Sequence, residues 1–201
     1  MIIDSSGSIR DNNPDDRSYD NWILQLEFLS TLVGAFDIGP DATRVGAVVF
    51  SEQVILEFSL DTFTSVSDIK NAIESINYLG QTTNTPAALT KTRTDCFGGS
   101  GNRPDVDDLA IIVTDGVPFP PNRRDPAIAE AQALRDSDVT MIAIGVTDVI
   151  DPEFLKAMSS PPQEEDKNYF IAASFTALTE IAKTVVEGTC EAVQGKILSN
   201  S

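Results

Sequence analysis

The chain contains no histidine. That absence removes a Ser/His/Asp triad, a Cys/His nucleophile pair and the ordinary catalytic zinc site, all of which need an imidazole. Cysteine is scarce as well. Cys96 and Cys190 stand far apart and match no zinc or redox spacing, so they can pair with each other, pair with a cysteine upstream, or stay reduced. Positive charge is in deficit: 14 Lys and Arg face 31 Asp and Glu, for a formal charge of -17 and a pI near 4.1. Phosphate backbones and anionic lipid surfaces need a basic footprint, so nucleic acid and acidic membranes are poor partners. No apolar run approaches the roughly 18 residues that cross a bilayer. A glycine-rich phosphate loop is missing too, because "GGSG" precedes a strand and lacks the usual lysine.

What is present describes one folded domain. At 201 residues with 41% apolar and 22% charged residues, the chain can bury a full core, and its composition is that of an ordinary globular protein. "TRVGAVVFS" is a β-branched run, and "QVILEFSL" follows so closely that the two predict a hairpin. "LAIIVTDG" and "VTMIAIGV" are continuous apolar runs of the kind buried on both faces of a parallel sheet, and "NYFIAA" is a weaker strand. Helical periodicity joins Trp22, Leu26, Leu29, Val33 and Phe36, and again Ile69, Ile73 and Ile76 behind Ser67 as the expected cap. Asp125 followed by Pro126 predicts another helix start, and Phe175, Leu178, Ile181 or Ala182, and Val185 make a last apolar stripe. Alternating strands and helices predict an α/β fold: a doubly wound, mostly parallel six-stranded sheet with one antiparallel edge strand and helices on both faces. Only Met1, Ile2 and Ile3 precede the first polar turn, fewer than the roughly 5–6 residues of a typical strand, so the first strand is expected to be truncated. The domain is expected to cover residues 1–192, with 193–201 a flexible tail.

Oxygen-rich turns fall where such a sheet collects ligands, outside the carboxyl ends of its strands. Asp4, Ser6 and Ser8 follow the opening strand, Thr83 and Thr85 stand in "GQTTNTPAAL" ahead of a short helix that Pro86 can start, and Asp115 tips the most apolar strand. Taken singly, each is an ordinary turn or cap. Taken together, two carboxylates and several hydroxyls form a donor set for a hard cation, and Mg2+ suits it because it takes oxygen ligands and retains water. Neutral hydroxyls leave the ion electrophilic, so a partner's carboxylate can replace a water.

These stretches resemble the von Willebrand factor type A (VWA) family, whose metal-ion-dependent adhesion site carries Asp-x-Ser-x-Ser, a distant Thr and a distant Asp. The matching residues are Asp4, Ser6, Ser8, Thr83 and Asp115, and the likeness runs from "DSSGSI" through "IGPDATRVGAVVFS", "TNTPAAL", "IIVTDGVP" and "MIAIGV" to "GTC". The resemblance implies Mg2+ or Mn2+ (Ca2+ is also compatible) bound at the sheet rim, directly or through water. It further implies a secreted, non-enzymatic adhesion module of the extracellular matrix, like the A domains of matrilins, collagens and invertebrate thread proteins. Such a module sits within a larger multidomain chain and binds a collagen-like or other matrix protein through a carboxylate. In many relatives a cysteine before the first strand pairs with one after the last helix, a place Cys190 fits. Arg123 and Arg124 can steer an acidic partner to this rim. Asp11, Asp15, Asp16 and Asp20 make an acidic loop without the glycine and terminal glutamate of an EF-hand; it reads as a solvated face, a specificity loop or a Ca2+ site. Gln81 and Pro86 depart from the glycines common beside the family's threonine. Two other readings are a structural spacer or self-association unit whose acidic surface holds Ca2+ or mineral, and a Mg2+-dependent phosphotransferase. The second is weakened by Ser6 standing where that chemistry wants a further aspartate.

Overall fold

The computed structural model describes residues 1–11, 20–147 and 150–187. Its six strands are β1 (Ile2–Asp4), β2 (Ala47–Phe50), β3 (Val54–Phe58), β4 (Asp108–Thr114), β5 (Val139–Val146) and β6 (Tyr169–Ala172), in the spatial order β3-β2-β1-β4-β5-β6. All pairings are parallel except β2 with β3, where Ser51 N–H bonds Gln53 O at 2.8 Å across a tight hairpin. The architecture is the one that the alternating apolar runs predict.

Both faces of the sheet are covered, which is why its central strands read as unbroken apolar runs. Ile3, Val49, Val113, Ile142 and Ile144 point to one side, against α2 (Asn21–Val33), α3 (Val66–Glu74) and the helical stretch 178–187. Ile2, Val48, Ile112, Met141 and Ala143 point to the other, against α4 (Thr85–Lys91), α5 (Arg124–Asp136) and α6 (Pro152–Met158). A short α1 (Gly7–Asp11) leaves β1 at the carboxyl rim.

Two helix starts differ from the sequence expectation. Ser65, not Ser67, caps α3: its hydroxyl accepts the Asp68 N–H at 3.2 Å and donates to the Asp68 carboxylate at 2.7 Å, a reciprocal pair that Ser67 has no residue placed to make. Helix α5 begins at Arg124, directly after a 3-10 turn (Pro121–Arg123), so Asp125 and Pro126 lie inside its first turn. Proline is tolerated there because the first N–H groups of a helix have no carbonyl to bond. Residues Asp15, Asp16 and Cys190 and the expected tail 193–201 lie outside the described residues.

The winding reverses between β1 and β4, since the chain builds outward from β1 to β2 and β3 and then returns to β1's other side. The carboxyl ends of those two strands are Asp4 and Thr114. A site at this rim therefore has its position set by topology.

Candidate metal centre

Asp4 ends β1 fully buried, and both of its carboxylate oxygens are in use. Oδ1 accepts the Ser6 N–H at 2.9 Å, closing the turn, and Oδ2 accepts the Thr114 hydroxyl at 2.6 Å, tying β1 to β4. Both donors are neutral. Burial pushes the Asp4 carboxyl above its ordinary range, and the hydrogen bonds from Thr114 and Ser6 pull only part of the way back. From there a line of hydroxyls runs outward: Ser6 Oγ lies 3.1 Å from Ser8 Oγ, and Ser8 Oγ donates to Asp115 Oδ1 at 2.8 Å. Asp115, like Asp4, is almost wholly buried. Residues more than a hundred positions apart are thus joined in one polar chain.

The loop that carries Thr83 is laced to the same turn through its backbone. Gly7 N–H bonds Gln81 O, Gly80 N–H bonds Ser5 O and the Ser5 hydroxyl accepts the Leu79 N–H, each at 2.8 Å. Tyr78 donates its phenol to Ser6 O at 2.9 Å and lies 3.1 Å from Gly7 O. Gly80 holds φ +71°, a left-handed conformation, and a Cβ there would meet the Tyr78 ring at 2.9 Å. Thr83 is itself buried, and its carbonyl accepts the Phe119 N–H at 3.1 Å, which fastens the loop after Asp115 to the loop of the threonine. All five residues singled out in the sequence stand on these three connected turns.

Several supporting residues carried no obvious mark in the sequence. Gln25, buried on α2, donates to Asp4 O at 2.8 Å; the available signal was a glutamine standing inside the apolar stripe of that helix. Asp20, read as part of an acidic loop, caps α2 through the Trp22 N–H and grips Arg10, whose guanidinium also lies 4.3 Å over the Tyr78 ring. Asp11 ends α1, its carboxylate close to Gly7. Arg123 reaches this rim but is held there by both oxygens of Glu52 at 2.9 Å each, and it donates to Phe119 O. That guanidinium, with the Thr82 hydroxyl, holds the Glu52 carboxyl down at about 2. Arg124 turns aside to Asp151 at 2.6 Å and over the Phe154 ring. Both arginines expected to steer a partner are already ion-paired.

The donor set fits a hard divalent ion. Its oxygens come from two carboxylates and three hydroxyl residues, and among the described residues no cluster of three or more His, Cys, Asp or Glu offers a softer or more anionic alternative. Among the described residues six buried side-chain oxygens lack a hydrogen-bond partner, and two of them belong to residues next to the site in chain or contact: Gln25, whose amide nitrogen holds Asp4 O, and Thr85, two residues after Thr83. Ordered water of the kind a hydrated ion carries satisfies such atoms. A cavity of about 500 Å³ lies at the opposite end of the sheet, lined by apolar residues such as Leu32, Phe36 and Cys96 and by charged ones such as Asp37, Arg44 and Arg103. Cys96 is a free thiol there, and burial raises its pKa. The cavity contains none of the site residues.

The family model of the von Willebrand factor type A domain matches residues 1–184. The chain belongs to the VWA family. It is 34% identical over 198 residues to mouse matrilin-1, covering 94% of this chain and 36% of that protein. It is 32% identical over 190 residues to the mouse collagen alpha-4(VI) chain, covering 94% of this chain but 7% of that one. The domain thus spans well under half the length of these relatives. Proximal thread matrix protein 1 of the mussel byssus superposes with a TM-score of 0.79 at 29% identity, over 94% of this chain and 44% of that one. The same mussel protein has been solved with zinc occupying its adhesion-site motif, with a TM-score of 0.78 to this chain. The matrilins and collagen VI chains that this chain matches are secreted extracellular-matrix proteins whose VWA domains are adhesion modules rather than enzymes. Among the described residues no helix is long and apolar enough to cross a membrane.

Proposed function

We propose that this VWA domain is a metal-ion-dependent adhesion module that binds a matrix protein through that protein's carboxylate. Ser6, Ser8 and Thr83 would hold Mg2+ or Mn2+ through their hydroxyls, with Asp4 and Asp115 balancing its charge directly or through water. The ion supplies an electrophilic position to which an anionic oxygen of the partner can bind. The observation that carries this reading is the hydrogen-bonded line from Asp4 through Ser6 and Ser8 to Asp115. It gathers two buried carboxylates, and the hydrogen bonds into the Asp4 carboxylate come from neutral donors, the Ser6 N–H and the Thr114 hydroxyl. Burial of that kind is costly unless a counter-charge arrives.

This chain's own residues make the site rigid before any ligand comes. Gln25, Tyr78 and the Ser5 hydroxyl fix the β1 turn from three sides, so the serine hydroxyls do not have to be ordered on binding. The test pairs calorimetry of Mg2+ and Mn2+ binding with a solid-phase assay on collagen-type and other matrix proteins, each run with and without chelator. Asp115→Ala and Ser8→Ala should lose metal binding and chelator-sensitive adhesion together while keeping a native circular dichroism spectrum. Adhesion that persists in both variants, or in chelator, refutes the reading.

A further inference from the structure

The loop after Asp115 turns apolar side chains outward at the rim itself. Among the described residues the large apolar side chains most exposed are Phe119 (58%), Val106 (46%), Ile23 (45%) and Val117 (42%), and Phe119 and Val117 belong to the single stretch "VPFPP" that follows Asp115 and Gly116. In that stretch Val117, Phe119, Pro120 and Pro121 are exposed, and Pro118 alone is buried. Exposed apolar side chains scattered singly need no explanation, but a contiguous run beside a binding site does.

The Phe119 backbone is held on both sides although its ring is largely exposed. Its N–H bonds Thr83 O at 3.1 Å, and its carbonyl accepts from Arg123 at 2.9 Å, while Arg123 is clamped by Glu52. The backbone is anchored on both sides of the exposed ring. An aromatic presented this way loses little entropy when it is covered, which is the property of an interface anchor. The Arg123 charge is spent on Glu52, so the contact this loop offers is apolar rather than ionic.

We propose that Phe119, supported by Val117, is a specificity-determining contact of the adhesion site, selecting partners in which the metal-bound acidic residue is flanked by a bulky apolar side chain. This rests on the adhesion reading above and adds to it the chemistry of the partner. Phe119 and Thr83 are joined by one backbone hydrogen bond, so their Cα atoms are separated by roughly the 5 Å of neighbouring strands. An extended peptide covers that distance in about two residues. An acidic side chain at the ion therefore sets the apolar contact within about two positions on either side.

The probe is a displayed library of short random peptides, each with one fixed glutamate, panned on the Mg2+-loaded domain and eluted with chelator. Selected peptides should carry Phe, Leu, Met or Trp within two positions of the glutamate. Phe119→Ser should weaken the best of them by roughly ten- to a hundredfold. Phe119→Leu should keep most of the affinity, and both variants should bind Mg2+ as the parent does in calorimetry without peptide. Chelator-sensitive peptides with no apolar preference, or equal binding by Phe119→Ser, overturn this proposal and leave the adhesion reading standing. Weakened Mg2+ binding by Phe119→Ser alone would make the residue part of the metal loop's framework and also overturn it. Failure of the Mg2+-loaded parent to select any chelator-sensitive peptide counts against the adhesion reading, and the specificity proposal falls with it.

Discussion

Asp4→Asn separates the charge of the site from its shape. Asn is nearly isosteric with Asp, and the pocket can accept it. Its Oδ1 keeps the Ser6 N–H at 2.9 Å, and its amide can donate to Thr114 Oγ1, because that hydroxyl has a second acceptor in Gly116 O at 3.1 Å. What disappears is a negative charge at a fully buried position. Because burial raises the folded pKa of Asp4, the folded state holds more protons than the unfolded chain between the ordinary aspartate range and that raised value. Stability of the metal-free parent therefore falls as pH rises through this window, and Asp4→Asn lacks that loss. In chelator at neutral pH the variant should melt no lower than the parent. With Mg2+ at a hundred times its Kd, the parent should gain about 2.7 kcal/mol. For a domain of this size that is roughly 5–11 °C in Tm. The variant should gain nothing. Differential scanning fluorimetry across pH, with and without metal, reads all of these quantities. A variant that melts several degrees below the parent in chelator would mean that the Asp4 charge is structural, and an equal metal response in both proteins would mean that the ion is held elsewhere; either result refutes the reasoning.

Other perturbations test the frame around the site. Gly80→Ala imposes a left-handed strain and pushes a Cβ to 2.9 Å from the Tyr78 ring, so it should cost about 1–3 kcal/mol in urea unfolding and weaken Mg2+ binding, because Tyr78 holds the Ser6 and Gly7 carbonyls. Gly145→Ala would set a Cβ 2.4 Å from Leu155 Cδ1 and 2.7 Å from Ile150 Cγ1, so it should cost about 1–3 kcal/mol in the same unfolding measurement. Carboxyl NMR should find Glu52 titrating at about 2, and Arg123→Ala should return it toward 4.5. The depressed value means the Glu52–Arg123 pair persists from neutral pH down to that midpoint and is lost only as pH falls through it. A Glu52 midpoint unmoved by Arg123→Ala would show that the clamp is not formed in solution.

Much of the architecture was legible because burial on both faces of a sheet leaves a direct mark in composition. Runs such as "VTMIAIGV" are short, continuously apolar and rich in β-branched residues, which suits a covered parallel strand, and the short gap before "QVILEFSL" leaves room for little except a hairpin. Helix starts were less legible, because Ser65 and Ser67 are chemically alike and only the Asp68 carboxylate decides between them. The candidate ligands were marked by their spacing, since Asp4, Ser6 and Ser8 crowd one turn at the end of a strand.

The amino-acid sequence by itself determined the inventory: two carboxylates and a set of hydroxyls on turns at strand ends, without a histidine to support other chemistry. Only the tertiary structure decided their company. Hydrogen bonds from Ser8 to Asp115 and from Thr114 to Asp4 exist because β1 and β4 lie side by side where the winding reverses, a neighbourhood that local chain statistics do not encode. The same holds for Arg123, whose positive charge was visible from the start but whose pairing with Glu52 depends on a contact between two loops far apart in the chain. Charge is a property of a residue, whereas its availability to a partner depends on which opposite charge the fold has placed within reach.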